Sequence, residues 1–125
     1  MIAVIFEVEP ADHCRGAYLN LAALLGEDLD GFDGFISIER FESLIRPGKL
    51  LSLSFWRDEE AVRRWRCQER HRVAQDRGRH GIFADYRLRV ATVIRDYGMA
   101  DRDQVPDDSR AVHDGAASDE RMNAS

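Results

Sequence analysis

Trp65 and His71 are the two residues best suited to do chemistry, and they stand six positions apart in one stretch of helical pattern. An indole can line a pocket, stack on a flat molecule and donate one hydrogen bond. An imidazole titrates near neutral pH and can take a proton from a weakly acidic group. The plainer readings are a core tryptophan beneath a helix and a surface histidine between Arg70 and Arg72. His80 falls in a loop bounded by Gly78 and Gly81, and His13 and His113 look incidental. Arg63, Arg64, Arg66, Arg70, Arg72, Arg77 and Arg79 crowd the same stretch. They could hold an anion, or form a solvated face paired with Glu59, Glu60, Glu69 and Asp76. Cys14 and Cys67 have no second thiol nearby, so there is no CxxC motif and two reduced thiols are expected. No metal site is expected.

The elements that must carry these residues follow from hydrophobic periodicity. Residues 2–8, IAVIFEV, suit a strand covered on both faces. Ala17, Leu21, Leu24 and Leu25 recur at helical spacing and predict a helix over about 12–28, with Asp12 as its cap. After the turn Asp30–Gly34, residues 35–44 alternate, with Ile36, Ile38 and Arg40 on one face and Phe35, Ser37, Glu39 and Phe41 on the other. Arg46-Pro47-Gly48-Lys49 reads as a hairpin turn, and residues 50–57 as the return strand. That strand sets Leu51, Leu53 and Phe55 against Ser52, Ser54 and Trp56. Asp58 can cap the second helix, with Glu59 and Glu60 at the positive end of its dipole. Ala61, Val62, Trp65 and Val73 give its buried stripe and Gly78 its stop. Residues 86–97 form a last strand in which Leu88, Val90, Thr92 and Ile94 alternate with Arg87, Arg89, Ala91, Val93 and Arg95.

The order strand–helix–strand–strand–helix–strand is the ferredoxin-like α+β arrangement, βαββαβ, with two helices on one face of an antiparallel sheet. The other face carries too many apolar groups to be left wet, which predicts a partner surface, with a second copy of the chain as the partner. Arg87, Arg89 and Arg95 would then pair across the dimer with Glu39 or Glu42. The 125 residues suffice for one such domain, placed at 1–99. Residues 100–125, rich in Asp, Ser, Ala and Gly, have the composition of a disordered acidic tail. The net charge of −5 divides into −1 for residues 1–99 and −4 for the tail, so the basic field that a non-specific nucleic-acid binder needs is missing. The longest apolar runs, Met1–Phe6 and Leu21–Leu25, are far short of the roughly 20 residues of a membrane span. With no basic and then apolar leader in the pattern, a cytoplasmic location is expected.

Five segments in order, FISIERFESL (35–44), PGKLLSLSFW (47–56), DEEAVRRWR (58–66), ERHRVAQ (69–75) and FADYRLRVATVIRDYG (83–98), resemble the antibiotic biosynthesis monooxygenase domain. The resemblance covers about residues 2–98. It implies a homodimer in which two ferredoxin-like units meet as a dimeric α/β barrel, with a pocket in each subunit between sheet and helices. Relatives oxidise quinol-type aromatic precursors with molecular oxygen and no cofactor, or degrade haem, while others have different roles. The haem-degrading branch uses an Asn in the first strand and a His ten positions after the helix Trp. Here those positions hold Glu7 and Gln75, and Gln is a poor ligand for haem iron.

The function expected is therefore a small monooxygenase, with no bound cofactor, acting on an aromatic or quinol-like molecule. The alternative is a non-catalytic ligand-binding or stress-related protein on the same scaffold, and haem degradation is third and disfavoured. The pocket is expected between the second helix and the sheet. Trp65 would stand in its wall beside Val62, His71 would be the general base, and His71 and Phe83 would close the mouth. Ser52 and Ser54 would supply room and polar anchors if their face is the one beneath the helices. Alternation alone leaves open whether Leu51, Leu53 and Phe55 take that face instead.

Overall fold

The structure, a computed structural model, describes residues 1–75 and 81–110, apart from the side chains of residues 74 and 75. It divides into two compact units, residues 1–92 and residues 93–125. The first contains β1 (Ile2–Pro10), α1 (Arg15–Leu29), β2 (Phe35–Glu42), β3 (Leu50–Trp56), α2 (Glu59–Gln75) and β4 (Phe83–Thr92). The four strands pair in the order β2-β3-β1-β4, antiparallel throughout, which is the ferredoxin-like α+β topology that the pattern predicts.

The register explains where the strands stop. Ile2 of β1 pairs with Thr92 and Pro10 with Phe83. β4 therefore occupies 83–92 rather than the expected 86–97, because a strand lasts only as long as its partner. Ile94, beyond that end, is 85% exposed. The same pairing delays α1. Ala11 N still donates to Ile82 O at 2.7 Å, and Cys14 N turns back to Ala11 O at 2.9 Å. The helix then begins at Arg15, with Cys14 at its N-cap and no side-chain cap bond, so the expected Asp12 cap is not made. At α2 the expected cap forms, with Ala61 N donating to Asp58 Oδ1 at 2.9 Å. That bond, and the adjacent Arg57, hold the Asp58 carboxyl below its usual range.

In β2 the strict alternation fails at one point. Phe35 pairs with Trp56 while Ser37 pairs with Phe55, leaving Ile36 as an extra, bulged residue that is 54% exposed. The bulge turns Phe35 to the side of Ile38, and both pack on the core cluster of Leu29, Trp56, Ala61, Val62 and Trp65. The β2–β3 turn is as expected, with Lys49 N donating to Arg46 O at 3.1 Å.

The loop before β2 is tied down from α2's side. Arg57 N donates to Gly34 O at 2.8 Å. The Arg57 guanidinium reaches Asp33 at 2.9 Å, and Arg64 reaches it at 3.2 Å. These two arginines, Arg57 first, hold the Asp33 carboxyl down to about 2. Gly34 has φ +90°, and an added Cβ there would lie 2.4 Å from Ala61 Cβ.

Register places Ala3, Ile5, Leu51, Leu53, Phe55 and Phe41 on the sheet face turned away from the helices. Glu7 lies on that face too, bonded to Lys49 at 3.1 Å and to Arg89, and its carboxyl is lowered by Lys49 first. Arg89 thus has an intrachain partner, and Glu42 pairs with Arg15 at 3.1 Å.

In the second unit, residues 96–110 form local turns. Asp96 N donates to Gln104 Oε1 at 2.8 Å, and Arg102 lies 5.6 Å from the centre of the Tyr97 ring. A single helical turn follows Pro106, with Arg110 N donating to Pro106 O at 2.7 Å. Part of the stretch expected to be a structureless tail is therefore locally ordered. The remainder, 111–125 with His113, lies outside the described residues, as do Asp76, Arg77, Gly78, Arg79 and His80.

Candidate active site

One cavity of about 470 Å³ lies between the sheet and the two helices. Its floor follows from the register. Across the sheet, Ile38, Ser54, Val4 and Val90 form one row, and Arg40, Ser52, Phe6 and Leu88 the next. Serines on the central strand β3 are small where their neighbours are large, and that missing volume opens the floor. The alternation left unresolved by sequence is thus decided: Ser52, Ser54 and Trp56 face the helices, while Leu51, Leu53 and Phe55 face away. Tyr18, Leu21, Ala22 and Leu25 of α1 form one wall, and Val62, Trp65, Glu69 and Val73 of α2 the other. Both sets recur at the helical spacing of three or four. Tyr86, Leu88 and Val90 of β4 line the remaining side but stay 60%, 50% and 41% exposed, so the cavity opens along β4.

The wall is aromatic at both ends. Phe32, Phe35 and Trp65 each pack on Trp56, with Trp56 and Trp65 ring centres 6.1 Å apart. At the other end Phe6, Tyr18 and Tyr86 surround Phe83 at 5.9 Å each. Each such contact contributes about 0.5–1.5 kcal/mol beyond its burial. Rings of this kind offer flat faces for offset stacking and weakly positive edges for edge-to-face contact with another ring.

Three polar features interrupt this lining. Trp56 Nε1 donates to Ser54 Oγ at 2.9 Å, so that hydroxyl is partly committed inside the wall. Arg40 reaches the Tyr18 hydroxyl, whose pKa is raised chiefly by burial. Glu69 lies beside the Trp65 indole, and burial pushes its carboxyl up while the indole N–H opposes this in part. A carboxyl raised in this way, in a cleft, is suited to exchange protons with a bound molecule.

The structure brings Trp65, Val62, Ser52, Ser54 and Phe83 together around this cavity. Trp65 and Val62 are also core residues, 7% and 3% exposed, so the core and wall readings of Trp65 hold together. His71 is not in the lining and is exposed. The reason is helical geometry: six positions past Trp65 is about 120° around the helix, whereas Glu69, four positions past it, is only about 40° away. Glu69 and Arg40 were missed as site residues. The signals were present, since Glu69 shares the Trp65 stripe and Arg40 alternates with Ile38. The α2 arginines mostly follow the solvated reading, with Arg63 on Glu60, Arg64 on Asp33 and Arg72 on Asp28. Arg66 and Arg70 line the cavity from exposed positions. Among the described residues no cluster of three His, Cys, Asp or Glu could hold a metal ion, and no helix is long and apolar enough to cross a membrane.

A sequence profile of the antibiotic biosynthesis monooxygenase family matches residues 1–77. The chain is 50% identical over 93 residues to the jasmonate monooxygenase ABM of Pyricularia oryzae, an alignment covering 74% of this chain and 43% of that protein. It therefore spans less than half the length of that relative. Among solved structures, Rv0793 from Mycobacterium tuberculosis superposes with a TM-score of 0.66 at 20% identity, over 78% of this chain and 98% of that one. SnoaB, a cofactor-independent oxygenase from Streptomyces nogalater, gives a TM-score of 0.62 at 10% identity, over 76% and 94%. At such identities the likeness shows the shared fold.

Proposed function

Because the chain belongs to the antibiotic biosynthesis monooxygenase family, we propose that its cavity binds a small, ring-bearing, mostly apolar molecule and promotes its oxidation by molecular oxygen with no bound cofactor. The observation that carries this reading is a carboxyl, Glu69, held against an indole in an apolar cavity of about 470 Å³. That volume is in the usual range for small-molecule sites. In the net reaction one activated methylene group and one molecule of oxygen become one ketone and one water. The substrate methylene supplies all the electrons, and no outside reductant is needed. Glu69 takes the first C–H proton. The carbanion passes one electron to molecular oxygen, and the two radicals combine as a C–O bond to give a peroxide anion, which takes the proton back from Glu69 as a hydroperoxide. The freed Glu69 carboxylate then takes the second C–H proton as the O–O bond breaks, and gives that proton to the departing hydroxide as water. Trp65 and Phe83 would orient the ring, and Val62, Ser52 and Ser54 would shape the floor and wall. His71 would take no direct part.

Quinol-type and anthrone-type compounds are the first to assay, together with jasmonic acid, for which the Pyricularia oryzae relative is named. The expected result is protein-dependent oxygen uptake, with one atom of labelled molecular oxygen in the organic product. Binding with no uptake above the spontaneous rate would instead make the protein a ligand carrier. Haem degradation has little support, since Glu7 is on the opposite sheet face, committed to Lys49 and Arg89.

The same reading includes a homodimer. Ile5, Leu51, Leu53 and Phe55 on the face away from the helices are the apolar surface it would use. Sedimentation should then give about twice the 14.3 kDa chain mass, and a monomer at micromolar concentration would overturn this. Cys14 and Cys67 are free thiols, which suits the reducing cytoplasm.

A further inference from the structure

Most described arginines of the first unit are tied to a carboxylate; Arg40 is not, and unlike Arg66, Arg70 and Arg87, which also lack such a partner, it is half-buried rather than exposed. Arg15, Arg46, Arg57, Arg63, Arg64, Arg72 and Arg89 each reach a carboxylate. Arg40 lines the cavity and makes no ion pair among the described residues, and its Nε is buried with no hydrogen-bond partner. Its neighbours are Ser52, directly across the β2–β3 ladder, and the Tyr18 hydroxyl. A tyrosine held neutral by burial can accept a hydrogen bond but supplies no negative charge. Glu69 lines the same cavity, but no ion pair joins it to Arg40 among the described residues. A guanidinium partly withdrawn from water without an anion is a costly arrangement, and its planar fork matches a carboxylate in two parallel hydrogen bonds.

We infer that Arg40 is the anchor for the carboxylate of the bound molecule, so that the cavity selects small organic acids with an apolar ring-bearing body. The acid group would lie on the β2 side against Arg40, Tyr18 and Ser52, and the ring body would reach between Trp65 and Phe83. This rests on the cavity's being the substrate site. Arg66 and Arg70 lie on the exposed part of the wall, where water screens them, and they would speed capture of an anion more than they would hold it.

The test is calorimetric titration of the full chain at pH 8 with two matched pairs, 1-naphthylacetic acid with its methyl ester and 4-phenylbutyric acid with its methyl ester. The parent should bind each acid at least ten-fold more tightly than its ester. Arg40→Gln should lose about that factor for the acids and leave the esters unchanged. Arg40→Lys, which keeps the charge but not the fork, should fall between, and Arg63→Gln, outside the cavity and paired with Glu60, should keep the discrimination. The two Arg40 variants report independently if one of them melts early. Equal binding of acid and ester by the parent, an unchanged ratio in both Arg40 variants, or no binding of either pair would overturn the assignment. Acid selectivity that depends on Arg40 but is accompanied by no oxygen uptake would leave the anchor standing and remove the oxygenase reading.

Discussion

Glu69→Gln is expected to lower turnover by about 10²–10⁴-fold with ligand binding largely kept, the range lost when a positioned general base is removed. The amide keeps the volume and can still accept the Trp65 N–H, but it cannot take a proton. The pH dependence separates this from structural damage. Burial raises the Glu69 carboxyl above its ordinary 4.5, so in the parent the acid limb of the rate profile should lie above that value and vanish in the variant. Stability should move the other way. A folded-state pKa above the unfolded one contributes stability that is complete below the unfolded pKa and is lost as pH rises through the folded pKa. Glu69→Gln should therefore melt at or above the parent at pH 8 and close to it in acid. Glu69→Asp should keep part of the activity. A Gln variant with parental turnover would remove Glu69 from the reaction.

Gly34→Ala is expected to destabilise the fold by about 2–5 kcal/mol. A non-glycine residue at this left-handed φ costs roughly 1–2 kcal/mol. The new methyl would also lie 2.4 Å from Ala61 Cβ, closer than any real pair of such atoms. Ala61 is fully buried, and its N–H is fixed by Asp58, so the strain must spread into the backbone at the start of α2. Overpacking of that kind costs about 1–3 kcal/mol more. For a domain of this size the loss should lower Tm by roughly 10 °C or more. Gly26→Ala is the control: it lies in α1 with nothing within 4 Å of a new Cβ, and should raise stability by about 0.5–1 kcal/mol. A change in Tm of less than about 3 °C for Gly34→Ala would show that the loop before β2 yields freely.

The βαββαβ order was legible because each element carries its own period, from the alternation of β3 to the Ala61–Val62–Trp65 stripe of α2. What single-chain periodicity does not hold is information about partners. The end of β4 at Thr92 depends on where β1 begins, and the start of α1 depends on Ala11 still being paired to Ile82. The bulge at Ile36 is a property of the β2–β3 ladder and leaves no mark on β2's alternation. The face of β3 beneath the helices could not be chosen, because leucines and serines alternate equally well either way up. At the site, residue type misled where spacing would have guided. His71 has the more familiar acid–base chemistry, yet Glu69 is the residue in line with Trp65. The Glu69 carboxyl looked like one more surface charge among arginines, because its partial burial beside Trp65 is a property of the packed helix and not of the sequence.

The serine floor also bears on how this scaffold changes over time. Ser52 and Ser54 sit on a central strand, held by ladder bonds on both edges. Their backbone therefore stays put whatever side chain they carry. Enlarging or shrinking the cavity requires no movement of a helix or loop, only one or two altered side chains at a fixed address. At Ser52 cavity size is in this way decoupled from the interactions that keep the fold, whereas a change at Ser54 also gives up the bond from the buried Trp56 indole. A lineage can therefore drift from one guest molecule to another most readily through single substitutions at Ser52.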